Sequence, residues 1–311
     1  MKKLSDYFRD FLEYLDVEKG LSLKTQETYS RLLEKFFDFL KQKNLENIKP
    51  SQLTEKEIFE YRIFLSRKLN QKKQNLKKTT QNLYLIVLRN FLKFLVEKGI
   101  ETFPPEKVKL IKIKEGEKMV KFLTLEQVKK ILEAPDTSNI VGLRDRAILE
   151  VLFSTGLRVG ELVNLNVTDV KIDKKTKDLE IVVVGKGKRL RPVYLSQRAV
   201  KWLREYLEKR NDKEKALFIS YRGRKKEDRR LSIRSVENIV KKYAILAGLP
   251  FFVVPHTLRH SFATDLLSKG VDLREIQEFL GHKNISTTQI YAHLTSKKLR
   301  EIHKKFHGFK K

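Results

Sequence analysis

The chain has 311 residues, 41% of them hydrophobic, and this length favours two domains over a single core. Its 67 basic residues outnumber 39 acidic ones and give a formal net charge of +28, which favours a polyanion such as nucleic acid as partner. The absence of cysteine excludes disulfides, thiolate nucleophiles and Cys-based zinc sites. No apolar run reaches the roughly 20 residues of a membrane span, so we expect a soluble, cytoplasmic protein without membrane contact.

The first hundred residues place apolar side chains at helical spacing and predict a helical domain over residues 1–103. In chain order, Gly20 ends a first helix, residues 24–41 form a second, the capping box Thr54–Glu57 begins a third, and residues 79–98 form a fourth that Gly99 closes.

A basic segment separates the third and fourth predicted helices. Residues 67–78 carry six basic side chains and no acidic one. Like charges in a run repel one another unless a polyanion neutralises them, so we expect phosphate contact rather than a merely solvated loop. The complete set of predicted DNA contacts is Arg67, Lys68, Lys72, Lys73, Lys77, Lys78, Arg89, Lys112, Lys114, Arg222 and Arg224.

Pro104-Pro105 interrupts the helical pattern, and residues 104–121 are predicted to form an extended basic interdomain linker. A second capping box, Thr124–Gln127, begins a second domain over residues 122–311. Two helical domains joined in this way could form a C-shaped clamp around a duplex.

Within the second domain, three β-rich stretches predict a small antiparallel sheet of three strands. They are Val170–Asp173, Leu179–Val184 and Leu190–Val193, and the last two flank Gly185-Lys186-Gly187. The predicted fold class is therefore mainly α with a small antiparallel β-sheet.

Polar side chains suited to attack on a phosphodiester follow one another along this domain. They are Arg158, Lys186, His256, Arg259, His282 and Tyr291. A guanidinium offers a planar fork that fits two phosphate oxygens. Arg158 comes just after the apolar run 147–153, where a charge is costly without an anion or a carboxylate, and Glu161 is the nearest candidate to orient it.

The local contexts TGLRVGEL, VVVGKGKRLRPV, PHTLRHSFATD and LGH-x8-Y, in this order, resemble those of the tyrosine recombinases, most closely the Xer type. The resemblance covers essentially the whole chain. It implies a SAM-like core-binding domain followed by the tyrosine recombinase catalytic fold.

The same resemblance assigns roles to the polar residues. Tyr291 would be the nucleophile and leave a 3′-phosphotyrosine and a free 5′-hydroxyl, while Arg158 and Arg259 clamp the phosphate. Lys186 would protonate the leaving 5′-oxygen, with Lys188 as the rival assignment. His256 would take or share the phenol proton, and His282 would donate to a phosphate oxygen.

The resemblance further implies a nucleoid-associated, site-specific recombinase that works through a Holliday junction, with a dif-like chromosome-dimer site as substrate. Its partners would be double-stranded DNA with paired inverted half-sites and further recombinase subunits. Those subunits could be copies of this chain (a dimer per site, a cyclic tetramer in the synapse) or a paralogue, and an activating DNA translocase is a further candidate. No cofactor or metal is implied. The alternatives are the integrase of a mobile element, a type IB topoisomerase, and a catalytically idle DNA-binding protein.

Several residues allow a second interpretation. Ten tyrosines are present, and Tyr243 is a rival phenol to Tyr291. His256 and His260 are four residues apart and could form a metal pair, but Thr257 stands where an HExxH motif requires glutamate, so we expect no metal and interpret His260 and His293 as structural. The tail, about residues 296–311, carries an apolar stripe that could pack on its own domain or, as the resemblance implies, on a neighbouring subunit.

Overall fold

The computed structural model describes residues 2–69, 73–112, 122–185, 190–221, 229–249 and 253–281. The chain divides into two compact units, Met1–Lys118 and Met119–Lys311. In chain order the described helices are α1 (Phe8–Val17), α2 (Leu23–Gln42), α3 (Glu55–Arg67), α4 (Lys78–Glu97), α5 (Leu125–Glu133), α6 (Ile140–Thr155), α7 (Val159–Asn164), α8 (Gln197–Glu208), α9 (Ile233–Leu246), α10 (Pro255–Ser268) and α11 (Leu273–Leu280). The described strands are β1 (Leu179–Val184) and β2 (Leu190–Leu195).

The N-terminal unit confirms the four helices predicted from apolar periodicity. Thr54 and Glu57 form the expected capping box: the Thr54 hydroxyl accepts from the Lys56 amide at 3.2 Å, and Glu57 accepts from the Thr54 amide at 2.9 Å. The helices pack around an aromatic core, because their inward positions carry large rings. Its fully buried rings include those of Phe11, Phe36, Tyr61 and Phe91.

The first part of the predicted linker packs on α4. Val108 is fully buried in the core of the N-terminal unit, and its carbonyl accepts a hydrogen bond from the Arg89 guanidinium. The Asn82 side chain pairs with Ile111 in both directions, accepting from its amide at 2.8 Å and donating to its carbonyl at 3.0 Å. Residues as far as Ile111 are thus bound to the N-terminal unit, and residues 113–121 lie outside the described ranges.

The C-terminal unit is organised around α6, whose residues are buried on nearly every side. This confirms the burial expected for the apolar run 147–153, and α8 and α10 pack against α6. The second predicted capping box is also present, since Thr124 and Gln127 exchange hydrogen bonds of 3.0 and 3.3 Å at the start of α5.

Strands β1 and β2 form a two-stranded antiparallel sheet, so the prediction of a third strand at Val170–Asp173 was wrong. The Asp173 carboxylate accepts hydrogen bonds from the amides of Lys175 and Thr176 at 2.8 and 2.7 Å, which forms a local turn. Val170 is buried in the core without pairing in the sheet. The β-rich composition of this stretch therefore reflects a buried apolar residue beside a turn and not a paired strand.

Candidate functional site

The chain passes from α6 to α7 through a turn that places Arg158 at the start of α7. Gly156 ends α6 with φ +60°, a left-handed conformation that favours glycine, and a Cβ there would lie 2.6 Å from a ring carbon of Phe262 on α10. Arg158 is the N-cap of α7, and its amide donates to the Glu161 carboxylate at 2.9 Å. The close contact between α6 and α10 and the capping interaction together fix the backbone of Arg158.

Glu161 also pairs with the Arg158 side chain. The Nη1 atom of Arg158 donates to Oε1 of Glu161 at 3.0 Å, and its Nη2 atom donates to the Gly281 carbonyl at 3.1 Å. The Arg158 side chain remains 35% exposed, whereas that of Glu161 is 6% exposed. The carboxylate partner anticipated from the sequence is therefore in place, and the arginine it holds is still accessible.

A further arginine, Arg191 on β2, enters the same cluster and was not predicted. Its Nη1 and Nη2 atoms donate to the two oxygens of Glu161 at 2.9 and 2.7 Å. In the sheet register Arg191 lies opposite Val183, which is 3% exposed, so it occupies the inward face of the strand. A charged residue at an inward position of an alternating strand needs a buried partner, and this pattern could have identified it.

Arg259 on α10 is 2% exposed and is held by backbone carbonyls. Its Nη1 donates to the Gly156 carbonyl and its Nη2 to the Leu280 carbonyl, both at 2.6 Å. These carbonyls lie at the ends of α6 and α11, where aligned peptide dipoles carry partial negative charge. These two bonds hold the buried guanidinium in a fixed position.

Three arginines from three elements thus meet at the end of α11. Arg158 donates to the carbonyl of Gly281, Arg259 to that of Leu280, and Arg191 lies 3.4 Å from that of Phe279. Burial favours the neutral form of the Glu161 carboxyl, but the hydrogen bonds from Arg191 and Arg158 outweigh it and lower its pKa. Arg158 and Arg191 share the ionised Glu161 carboxylate, and Arg259 lies at the same end of α11 on backbone carbonyls, so the cluster is suited to an additional anion such as a phosphodiester.

His256 and His260 lie one turn apart on α10, and their ring centroids are 4.3 Å apart in an edge-to-face arrangement. Desolvation, together with the charges of Arg259 and Arg158, lowers the pKa of His256 below its usual range. Burial, His256 and Arg259 lower the pKa of His260 to about 4. Both imidazoles are therefore neutral at pH 7, and a neutral imidazole can accept a proton.

Other predicted site residues fall outside the described ranges, and their placement remains a prediction. These are Lys186, Lys188, His282, Tyr291, His293, the tail, Lys72, Lys114, Arg222 and Arg224. The rival phenol Tyr243 is described. It is 3% exposed and donates to the Asp145 carboxylate at 2.9 Å, and burial raises its pKa, so it has the environment of a structural tyrosine.

The predicted phosphate contacts of the N-terminal unit differ in environment. Those exposed to solvent are Arg67, Lys73, Lys77, Lys78 and Lys112. Lys68 instead lies over the rings of Phe64 and Tyr84, at 5.4 and 5.6 Å from their centroids, and desolvation lowers its pKa. Arg89 is engaged by the Val108 carbonyl. The exposed residues are thus better placed for phosphate contact than Lys68 or Arg89.

The described part of the chain offers neither a metal-binding cluster nor a membrane-spanning helix. Among the described residues, no three His, Cys, Asp or Glu side chains are grouped to hold a metal ion. Within the same ranges, no helix is long and apolar enough to cross a membrane.

Comparison with known proteins identifies relatives of both units. Residues 8–99 match the phage integrase N-terminal SAM-like domain, and residues 121–298 match the phage integrase family. The chain is 39% identical to the tyrosine recombinase XerC of Thermodesulfovibrio yellowstonii, over 98% of this chain and 97% of that protein. It is 36% identical to the tyrosine recombinase XerD of Listeria innocua, over 98% and 99% of the two chains.

Solved structures agree with these sequence relatives. The XerA recombinase is 30% identical and aligns with a TM-score of 0.51 over 98% of this chain and all of that one. The XerH site-specific recombinase, in a post-cleavage complex with a palindromic difH substrate, is 25% identical and aligns with a TM-score of 0.70, over 96% of this chain and 83% of that one. The chain therefore belongs to the phage integrase family and is a tyrosine recombinase of the Xer type, an enzyme that cleaves and rejoins DNA.

Proposed function

We propose that this recombinase resolves chromosome dimers at a dif-like site, through a 3′-phosphotyrosyl intermediate and a Holliday junction. The observation that carries the proposal is the cluster formed by Arg158, Arg259 and Glu161 at the end of α11, directly before the His282–Tyr291 segment. Likeness to XerC and XerD over nearly the full chain supports the Xer assignment. The XerH structure, which holds a palindromic difH substrate, supports a site of paired inverted half-sites.

In the proposed reaction the Tyr291 oxygen attacks the scissile phosphorus, and the bond to the 5′-oxygen breaks. His256, neutral at pH 7, accepts or shares the phenol proton, and Lys186 donates a proton to the leaving oxygen. The products are a 3′-phosphotyrosine and a free 5′-hydroxyl. The bond energy is conserved in the covalent intermediate, so a 5′-hydroxyl from a partner duplex can reverse the step and complete strand exchange.

Arg158 and Arg259 stabilise the charge that develops on the non-bridging oxygens as the phosphorus becomes five-coordinate. Backbone carbonyls hold both groups before substrate arrives, so little reorganisation is needed when the charge appears. His282 adds a donor to a phosphate oxygen. With these cations supplied by the protein, the proposed chemistry needs no metal ion or nucleotide cofactor.

The remaining parts of the proposal concern DNA and subunits. The N-terminal unit spans the predicted core-binding domain, residues 1–103, and contacts phosphates through the basic segment 67–78, while residues 104–121 link it to the catalytic domain. The protein acts in the cytoplasm as part of the nucleoid. Two subunits occupy one site and four form the synapse, as copies of this chain or with a paralogue. An activating DNA translocase is a further candidate partner.

Mapping of covalent protein–DNA adducts on the genomic DNA of the source organism tests this function. Adducts formed by the full-length protein are trapped by denaturation, purified and sequenced, with Tyr291→Phe treated in parallel to define the background. We expect one chromosomal locus flanked by inverted half-sites. Adducts at the ends of a mobile element would instead identify an integrase, and adducts scattered over many sequences would identify a topoisomerase. No adduct at all would identify an idle DNA-binding protein.

A further inference from the structure

Arg191 occupies a connecting position in the cluster that the proposed reaction does not use. It belongs to β2, yet its side chain is 11% exposed and pairs with both oxygens of Glu161, at 2.9 and 2.7 Å. The same carboxylate accepts from the amide and the side chain of Arg158. Glu161 thus receives four hydrogen bonds, two from each arginine, and is the link between them.

Because Glu161 is shared between the two arginines, it neutralises the positive charge of Arg158 only in part. A carboxylate bound to a single guanidinium forms a closed ion pair that is less able to stabilise a phosphate. With Arg191 on both of its oxygens, Glu161 shares its negative charge between two cations, and the pair of arginines keeps a net positive charge. Arg191 therefore allows Glu161 to orient Arg158 without neutralising it.

Arg191 also packs closely against the end of α11. Gly281 has φ +60°, and a Cβ added there would lie 2.9 Å from Cδ and 3.1 Å from Nε of Arg191. The Gly281 carbonyl is the acceptor for Arg158. The stem of Arg191 thus lies against the residue whose carbonyl holds Arg158, so a shift of one side chain disturbs the other.

We propose that Arg191 is a positioning residue for DNA cleavage, which acts through Glu161 and the end of α11 to hold Arg158 in place with its charge available for the scissile phosphate. This inference rests on the proposed phosphate-binding role of Arg158. It extends that role to a residue that needs no contact with DNA.

The test is the single-turnover rate of covalent adduct formation on a nicked duplex that carries the site cleaved by the wild-type protein, at saturating protein. We expect Arg191→Gln to slow adduct formation about 100-fold, because small displacements of a clamping group cost about that much. DNA affinity at fixed salt should change less than threefold or so, since Arg191 is not itself a DNA contact. Arg191→Lys, which keeps the charge but cannot bridge both oxygens, should fall between wild type and Arg191→Gln.

Arg210→Gln is the matched control. Arg210 is similarly buried, pairs with both oxygens of Asp212 at 3.0 and 2.5 Å, and donates to the carbonyls of residues 214, 216 and 217. Arg210→Gln should lower the melting temperature. The amplitude of adduct formation then gives the fraction of protein that is still active, and the rate constant of that fraction should be unchanged. If Arg191→Gln behaves in the same way, Arg191 has a structural role only and the proposal is overturned.

A double-variant comparison tests whether Arg191 acts through Glu161. The rate of the double variant Arg191→Gln, Glu161→Gln should lie well above the value that the two single losses would give if they multiplied. Multiplied losses would mean that the two residues act independently, against the proposal. Should Arg191→Gln not fold, the same comparison with Arg191→Lys decides the matter. A wild-type protein that forms no adduct would refute the proposed function, whereas active wild type with unaffected Arg191 variants refutes this inference alone.

Discussion

The two units of this recombinase are stabilised in different ways. The core of the N-terminal unit is aromatic: the ring of Phe11 lies 5.3 Å from that of Phe91, and the ring of Phe36 lies 4.9 Å from that of Tyr61. The C-terminal unit instead buries charges. Its buried charged residues within the described ranges are Arg144, Asp145, Arg146, Glu150, Glu161 and Arg259.

The buried charges of the C-terminal unit are paired, as their cost requires. Arg144 pairs with Asp145 at 2.6 Å, and Glu150 accepts from Arg146 and Arg198 at 2.9 and 2.6 Å. An apolar core of the same volume would stabilise a domain at least as well, so these charges are not explained by stability alone. Glu161 and Arg259 belong to the candidate site, where the proposed reaction uses a preorganised positive charge. The N-terminal unit is thus stabilised mainly by apolar packing, whereas the C-terminal unit also holds buried charged side chains in fixed positions.

The largest effect is expected from Arg259→Gln. The substitution removes the guanidinium held by the Gly156 and Leu280 carbonyls, and loss of one such donor typically costs about 100- to 1,000-fold in rate. Adduct formation at saturating protein should fall by at least that factor, while Arg210→Gln should leave the rate constant of the folded fraction unchanged. Equal effects of the two substitutions would mean that Arg259 is only another structural buried arginine.

The aromatic core should respond to a loss of volume. Phe91 is fully buried, and Phe91→Ala should destabilise the N-terminal unit by about 3–5 kcal/mol, because it removes apolar contacts and leaves a cavity. Phe59→Ala is the control, since Phe59 on α3 is 57% exposed and should cost less than about 0.5 kcal/mol. Amide hydrogen exchange, measured separately for each unit, should show reduced protection only in the N-terminal unit, before residue 113. Loss of protection in the C-terminal unit as well would contradict independent cores.

Mild acid is expected to cause a smaller loss of stability, through the histidines of the C-terminal unit. All six histidines follow residue 255, so the N-terminal unit has none to titrate. The folded pKa of His260 is about 4, below the usual 6.5. Protonation therefore favours the unfolded state, and stability falls as the pH drops from about 6.5 towards 4. For His260 this loss is on the order of 2 kcal/mol between pH 7 and 5.

Fluorescence of Trp202 can follow this acid effect, since it is the single tryptophan and lies in the C-terminal unit. Urea unfolding monitored at this residue should show lower stability at pH 5 than at pH 7. His260→Gln should flatten the dependence, because glutamine does not titrate. An unchanged slope in that variant would assign the effect to other groups, such as His256.

The sequence predicted local structure well because local interactions determine it. Apolar periodicity and capping residues placed both ends of α2 and the start of α3 within a residue or two, and the short spacing between Arg158 and Glu161 anticipated their contact. The false third strand at Val170–Asp173 arose because β-propensity does not reveal whether a partner strand is available.

Contacts between distant elements were not predictable in the same way. The bonds from Arg259 to the carbonyls of Gly156 and Leu280 depend on how α10 packs against α6 and α11. Arg191 was not predicted because β-propensity does not show which face of a strand a residue occupies. Once β1 and β2 are paired, its position opposite buried Val183 requires a buried anionic partner.

The central claim is that Tyr291 cleaves DNA at a phosphate held by protein cations, and adduct formation with the Tyr291→Phe variant tests it most directly. Wild type and variant are incubated with the nicked duplex in excess EDTA, and covalent complexes are resolved after denaturation, with DNA binding measured in parallel. The account predicts a 3′-linked adduct for the wild type in EDTA and none for Tyr291→Phe, with nearly equal DNA affinity. An adduct formed by Tyr291→Phe, or a wild-type adduct that disappears in EDTA, would contradict it.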